Sequence, residues 1–246
     1  DILELKPKER LEKMYLFCQK HIPDFNKAKY FKIVNRAYKQ SLKTENKLIT
    51  INSIPIYEDE VNYINSLNLS IDHKKVLFAL LVYKKLCRSV YNIRHSEDTE
   101  KKEYNMIFFN GGNKTYNNIK NISKISSKYK LNDDIIYDLS QYELERTDDN
   151  TVYLVTIMNK GLILLNYIDY IKETGNIAVE VKNFNNIGWY LDYYNHADKM
   201  KLCKYCNQPF KKSSNRQEFC SNECFDMHRK SYKTNKQKEY RNNVDN

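Results

Sequence analysis

Four cysteines have the spacing in this chain that most clearly commits side chains to a definite chemistry. Two residues separate Cys203 from Cys206, three separate Cys220 from Cys224, and 13 lie between the pairs. A CxxC turn sets two thiolates on one knuckle, and an excursion of that length suits a short hairpin that brings the second pair back. Four convergent thiolates, with bonds of about 2.3 Å, close a tetrahedral zinc site. Such a site keeps no open coordination position, so the expected zinc is structural rather than catalytic. Two disulfides or free thiols are the alternatives for the same residues. His228, four residues after Cys224, could also replace it as the fourth ligand.

The elements that must position these thiols follow from their flanks. Phe210 and Phe219 sit just inside the two pairs and are expected to pack across the hairpin. Ser221 is a natural N-cap for a helix starting after Cys220. Cys224 would then lie in its first turn, with Phe225, Met227, Arg229 and Lys230 following. The expected arrangement is a treble clef.

The segments CKYCNQPF and RQEFCSNECFDMHRK resemble short zinc modules of bacterial and phage proteins, in which a CxxC, an aromatic, a polar-basic loop, a Cys-Ser-x-x-Cys run and a basic helix follow one another. The preceding VNYINSLNLSIDHKKVLFALLVYKKL looks like Gram-positive phage and mobile-element proteins in which a winged-helix-like region precedes such a module. The likeness is close over residues 203–229 and loose over 55–230. It implies a mobile-element origin and contact with nucleic acid, and it supplies no catalytic residues. Abundant Asn, Lys, Ile and Tyr, with 21 Tyr and 5 Gly, fit an A/T-rich genome.

Charge points the same way. The chain carries +10, and residues 199–246 hold twelve Lys/Arg against five Asp/Glu, a net of +7, which leaves +3 for the first 198 residues. Lys211, Lys212 and Arg216 fall between the cysteine pairs; Arg229, Lys230 and Lys233 follow the last of them. A basic helix projecting from a metal-held knuckle is a common way to meet phosphates. Nucleic acid, DNA rather than RNA, is therefore the expected partner, with a solvated tail as the plain alternative.

No catalytic arrangement accompanies this. His21, His73, His95, His196 and His228 are scattered, and the sequence holds no Gly-rich phosphate loop, no HExxH and no GxSxG. Asp192 and His196 share one helical face and read as a structural pair. The expectation is a protein without enzymatic activity.

The rest of the chain reads as mainly α with a small β component. Helical periodicity covers 3–20, 25–42, 58–67, 71–91 (the expected centre of the core, with Asp72 as cap), 116–126, 131–144 (capped by Asn132) and 184–194. Extended segments are expected at 44–57, 106–109, 151–158 and 176–181, with turns at 111–113 and 159–161 and a hinge at 198–201. The order from 61 to 170 is compatible with a winged helix whose helix-turn-helix spans Ile122–Leu139. Residues 132–149, however, carry seven acids against Arg146 alone, which does not suit a helix facing phosphates. Lys120, Lys124, Lys128 and Lys130 offer another face.

Three regions are expected: a helical part at 1–57, a winged-helix-like α+β domain at 58–198, and a zinc module with a basic tail at 199–246. No stretch reaches the ~20 apolar residues of a membrane span. Cys18 and Cys87 lie in helical patterns as core thiols, a usage that fits a reducing, cytoplasmic setting. The chain starts at Asp1, so a trimmed N-terminus is expected. The competing expectation is an interaction factor that binds a host or defence protein through acidic 132–149 and a tyrosine-rich surface.

Overall fold

The computed structural model describes residues 6–41, 49–94, 106–108, 113–126, 128, 131–147, 150–158 and 162–244. The turns expected at 111–112 and 159–161, His95 and Lys130 lie outside them. The chain is rich in helix, with small antiparallel sheets, and divides into two compact units, Asp1–Thr50 and Ile51–Asn246.

The first unit is a pair of helices, α1 (Pro7–His21) and α2 (Lys27–Ser41). Tyr15 and Val34 are its buried side chains. Lys27 binds Glu12 at 3.0 Å and sits over the Tyr15 ring at 4.5 Å. Leu16, Phe17, Phe31 and Ile33 are exposed.

The second unit is built around α4 (Ile71–Arg94). Its seven consecutive residues Val76–Val82 are all buried, so apolar neighbours surround the helix on every side. Ser70 caps it rather than Asp72, accepting from the His73 amide at 3.4 Å. Around it pack α3 (Glu58–Ser66), α5 (Asn113–Ser123), α7 (Ile187–Tyr194) and the ribbon of β1 (Ile54–Tyr57) against β7 (Ile177–Val181). That ribbon ties residues 51–57 to the second unit. Within the core, the buried Tyr167 hydroxyl donates to the Leu77 carbonyl at 2.7 Å. Both oxygens of the fully buried Glu60 accept from Lys85, at 2.8 and 2.7 Å.

A second, three-stranded sheet runs in the order β2 (Met106–Phe108), β6 (Leu162–Leu165), β5 (Val155–Met158), all antiparallel. Between α5 and β5 the chain departs from expectation twice. The helix expected at 131–144 is a π-helical turn (Leu131–Ile136) that runs into α6 (Tyr137–Gln141), and Glu143–Arg146 is strand β3. The strand expected at 151–158 is two strands, β4 (Thr151–Tyr153) and β5. The buried Leu154 parts them by donating its amide to the Tyr142 carbonyl at 2.9 Å. β3 and β4 form their own hairpin.

Helix α7 is locked against α5 at Gly188, where an added Cβ would lie 1.8 Å from the Ser123 carbonyl oxygen. Lys75 bridges the two helices, donating to the Lys124 carbonyl at 2.8 Å and to Asp192 at 2.9 Å. Asp192 thus pairs with Lys75 and not with His196, because the buried ammonium needs a counter-charge. Cys18, on α1, is half-buried and Cys87, in the last turns of α4, is exposed, so neither is the enclosed core thiol expected. No described helix is long and apolar enough to cross a membrane.

Candidate metal centre and basic surface

The cysteines converge. A hairpin of β8 (Met200–Leu202) and β9 (Pro209–Lys211) pairs Lys201 with Phe210. At its tip, Cys203 and Cys206 form a knuckle closed by the Asn207 amide on the Cys203 carbonyl, 3.0 Å. Asn207 takes a left-handed φ of 54°, a conformation its short polar side chain tolerates. Cys220 returns beside them, its amide 3.4 Å from the Cys203 sulfur. Ser221 caps helix α8 (Asn222–Val244), accepting from the Cys224 amide at 3.2 Å, and so places the fourth thiol in the first turn.

All four Sγ atoms lie within 4.8 Å of one another, with 3.7 Å from Cys206 to Cys220 and 3.4 Å from Cys220 to Cys224. Tetrahedral bonds of about 2.3 Å require sulfurs about 3.8 Å apart, so the set fits one metal ion. No disulfide joins them. Phe219 packs at the start of α8, against Phe225 at 5.5 Å and His228 at 5.1 Å, whereas Phe210, on β9, is buried. His228 lies outside the ligand set.

Electrostatics favour a cation here. Burial opposes ionisation of Cys203, but the backbone amides of Cys206, Cys220 and Tyr205 overcome it and bring the thiol down to about 6. Burial pushes Cys206 up, and burial together with the neighbouring thiols holds Cys220 far above the usual thiol range. Four thiolates this close repel unless a positive ion sits among them.

The basic residues sit on two segments rooted in this cluster. Lys211 ends β9, and the loop after it carries Lys212 and Arg216. The Gln217 carboxamide holds that loop, accepting from the Ser213 amide at 2.7 Å and donating to the Phe219 carbonyl at 3.1 Å. Lys204 anchors its end through Glu218 at 2.6 Å. Arg229, Lys230 and Lys233 lie on α8, which shares no extensive contact with any other described element. All but the half-buried Lys212 are exposed. Sequence reading missed the Gln217 staple; a glutamine near cysteines carries no recognisable signal.

The alternative basic face is less free. Lys124 lies over the Trp189 ring at 5.2 Å, and burial lowers its pKa. Among the acids at 132–149, Asp138 binds His73 at 3.1 Å and Glu145 accepts from the Tyr170 hydroxyl at 2.7 Å.

No protein-family model, curated protein or solved structure matches this chain. The candidate site therefore stands on its own geometry.

Proposed function

We propose that this chain is a nucleic-acid-binding accessory or regulatory protein of a phage or mobile element, with a structural zinc held by Cys203, Cys206, Cys220 and Cys224. One observation carries the reading: the four-thiol cluster lies at the root of both segments that bear the basic side chains. A metal there fixes loop and helix together and aims their charges outward, as backbone-directed phosphate contact requires. Zinc suits four thiolates in a closed site, which excludes water and needs no redox change. The knuckle, hairpin and capped helix support a treble clef. The order α4, β2, α5, helical segment 131–141, the β3–β4 hairpin, β5, β6, with the sheet arranged β2-β6-β5, supports a winged helix carrying an inserted hairpin. The exposed acids Asp138, Glu143 and Glu145 then lie on a face that does not meet DNA.

The test is purification from cells with and without nuclease. Nucleic acid that co-purifies and disappears on nuclease treatment supports the reading; a clean protein that binds no oligonucleotide at low salt rejects it. A second reading, as an interaction factor without enzymatic activity, draws on the exposed Leu16, Phe17, Phe31 and Ile33 of the first unit, which suit a protein partner. It predicts a nuclease-resistant protein companion in the same purification.

A further inference from the structure

Helix α8 carries aromatic side chains that folding does not explain. Phe225 is 48% exposed and Tyr232 59% exposed. Residues 225, 229, 232 and 236 stand at i, i+4, i+7 and i+11, so Phe225, Arg229, Tyr232 and Lys236 share one stripe of the helix. Lys233 borders it. Large aromatic rings left about half exposed, on a helix that shares no extensive contact with the other described elements, mark a contact surface.

The stripe is also ordered. The edge of Phe225 rests on Phe219 at 5.5 Å, next to the cysteine cluster. Lys236 sits over Tyr232 at 5.8 Å. Rings seven residues apart on a helix are separated by about 10 Å along its axis. Beside the first of them is a surface hollow of about 560 Å³ lined by Arg216, Ser221, Asn222 and Phe225, among others. Aromatic faces alternating with cations along a line match a polyanion whose bases are unpaired. Duplex DNA offers phosphates to such a stripe but hides its base faces, so the rings would gain nothing from it.

We infer that the Phe225–Lys236 stripe of α8 binds single-stranded nucleic acid, with bases stacked on Phe225 and Tyr232 and the backbone held by Arg216, Arg229, Lys233 and Lys236. This rests on the nucleic-acid reading above and narrows it to one strand form. Stacking on a ring is tolerant of sequence, so binding is expected to be non-specific.

The test uses the full chain loaded with zinc and fluorescence anisotropy at low salt. The probes are a labelled pyrimidine single strand of about 20 nucleotides, a duplex of the same length, and poly-glutamate as competitor. The variants are Phe225→Leu and Tyr232→Leu. Tyr232 lies two turns beyond Cys224, so its variant leaves the metal site intact, which zinc content verifies. The expected result is preference for the single strand, with a loss of about tenfold for each variant and duplex binding within twofold of the parent. Duplex binding as tight as single-strand binding, with both variants neutral, overturns this inference and leaves the broader reading standing. No binding to either form overturns both. Displacement of the oligonucleotide by poly-glutamate at equal charge assigns the face to acidic protein surfaces and likewise overturns the inference.

Discussion

The Cys224 amide donates to the Ser221 hydroxyl at 3.2 Å, so one contact starts α8 and seats the fourth thiol. A metal held by these thiols would thereby be coupled to helix initiation. Replacing Ser221 with Ala should cost α8 about 1 kcal/mol of helix stability and weaken metal binding with it. Competition against a chelator, with helicity followed by circular dichroism, should show both losses together. Loss of helicity with unchanged metal affinity would separate them.

Metal removal should act locally. Cys203 and Phe210 are buried, but they stand apart from the main apolar cluster around α4. Stripping the metal should therefore expose the β8–β9 hairpin and α8 to fast amide exchange while Val76–Val82 stay protected. One zinc per chain is expected by native mass spectrometry, and Cys220→Ser should abolish it. Uniform loss of protection would make the module part of the main core.

Gly188 and Ser123 test the α5–α7 contact. Gly188→Ala would press a methyl against the Ser123 carbonyl, 1.8 Å away, and should cost about 3 kcal/mol or more. The buried Ser123 hydroxyl has no hydrogen-bond partner among the described residues, so Ser123→Ala should be neutral or stabilising. Thermal melts decide both; a stable Gly188→Ala protein would contradict this packing.

Acid sensitivity should trace in part to Glu173. Partial burial raises its pKa, but the Arg88 guanidinium at 2.7 Å, with Lys85 and Lys84, outweighs this and holds the carboxyl below its ordinary 4.5. A depressed carboxyl contributes stability that is present above the unfolded value and lost as pH falls through the folded one. Glu173→Gln should therefore be less stable than the parent near neutrality, and the difference should shrink below about pH 4.5. Parallel stability curves across that range would refute it.

The cysteine spacing made the metal cluster, the Ser221 cap and the basic α8 legible, because these are local: a few side chains and one helix turn decide them. The buried α4 was equally plain from its apolar run. Glu143–Arg146 was not, since its strand exists through pairing with Thr151–Tyr153, a non-local choice that overrides helical periodicity. The splitting of 151–158 at Leu154 has the same origin, and so does the Asp192–Lys75 pair, whose partners are 117 residues apart. Phe225 and Tyr232 are placed on the basic helix by the sequence, but their exposure, which sets them apart from core residues, is not written in spacing.

The central claim is that nucleic-acid affinity resides in the metal-held C-terminal segments, and salt titration of binding tests it most directly. The full chain should lose affinity steeply with salt, by about 0.7 per phosphate neutralised on a single strand and about 0.9 on a duplex in log–log slope. Gln at 229, 230 and 233, or at 211, 212 and 216, should weaken binding across all sequences and flatten that slope by up to about three. Chelating the metal should do the same. Unchanged affinity and slope in both triple variants and in the metal-free protein would place binding elsewhere and contradict the account.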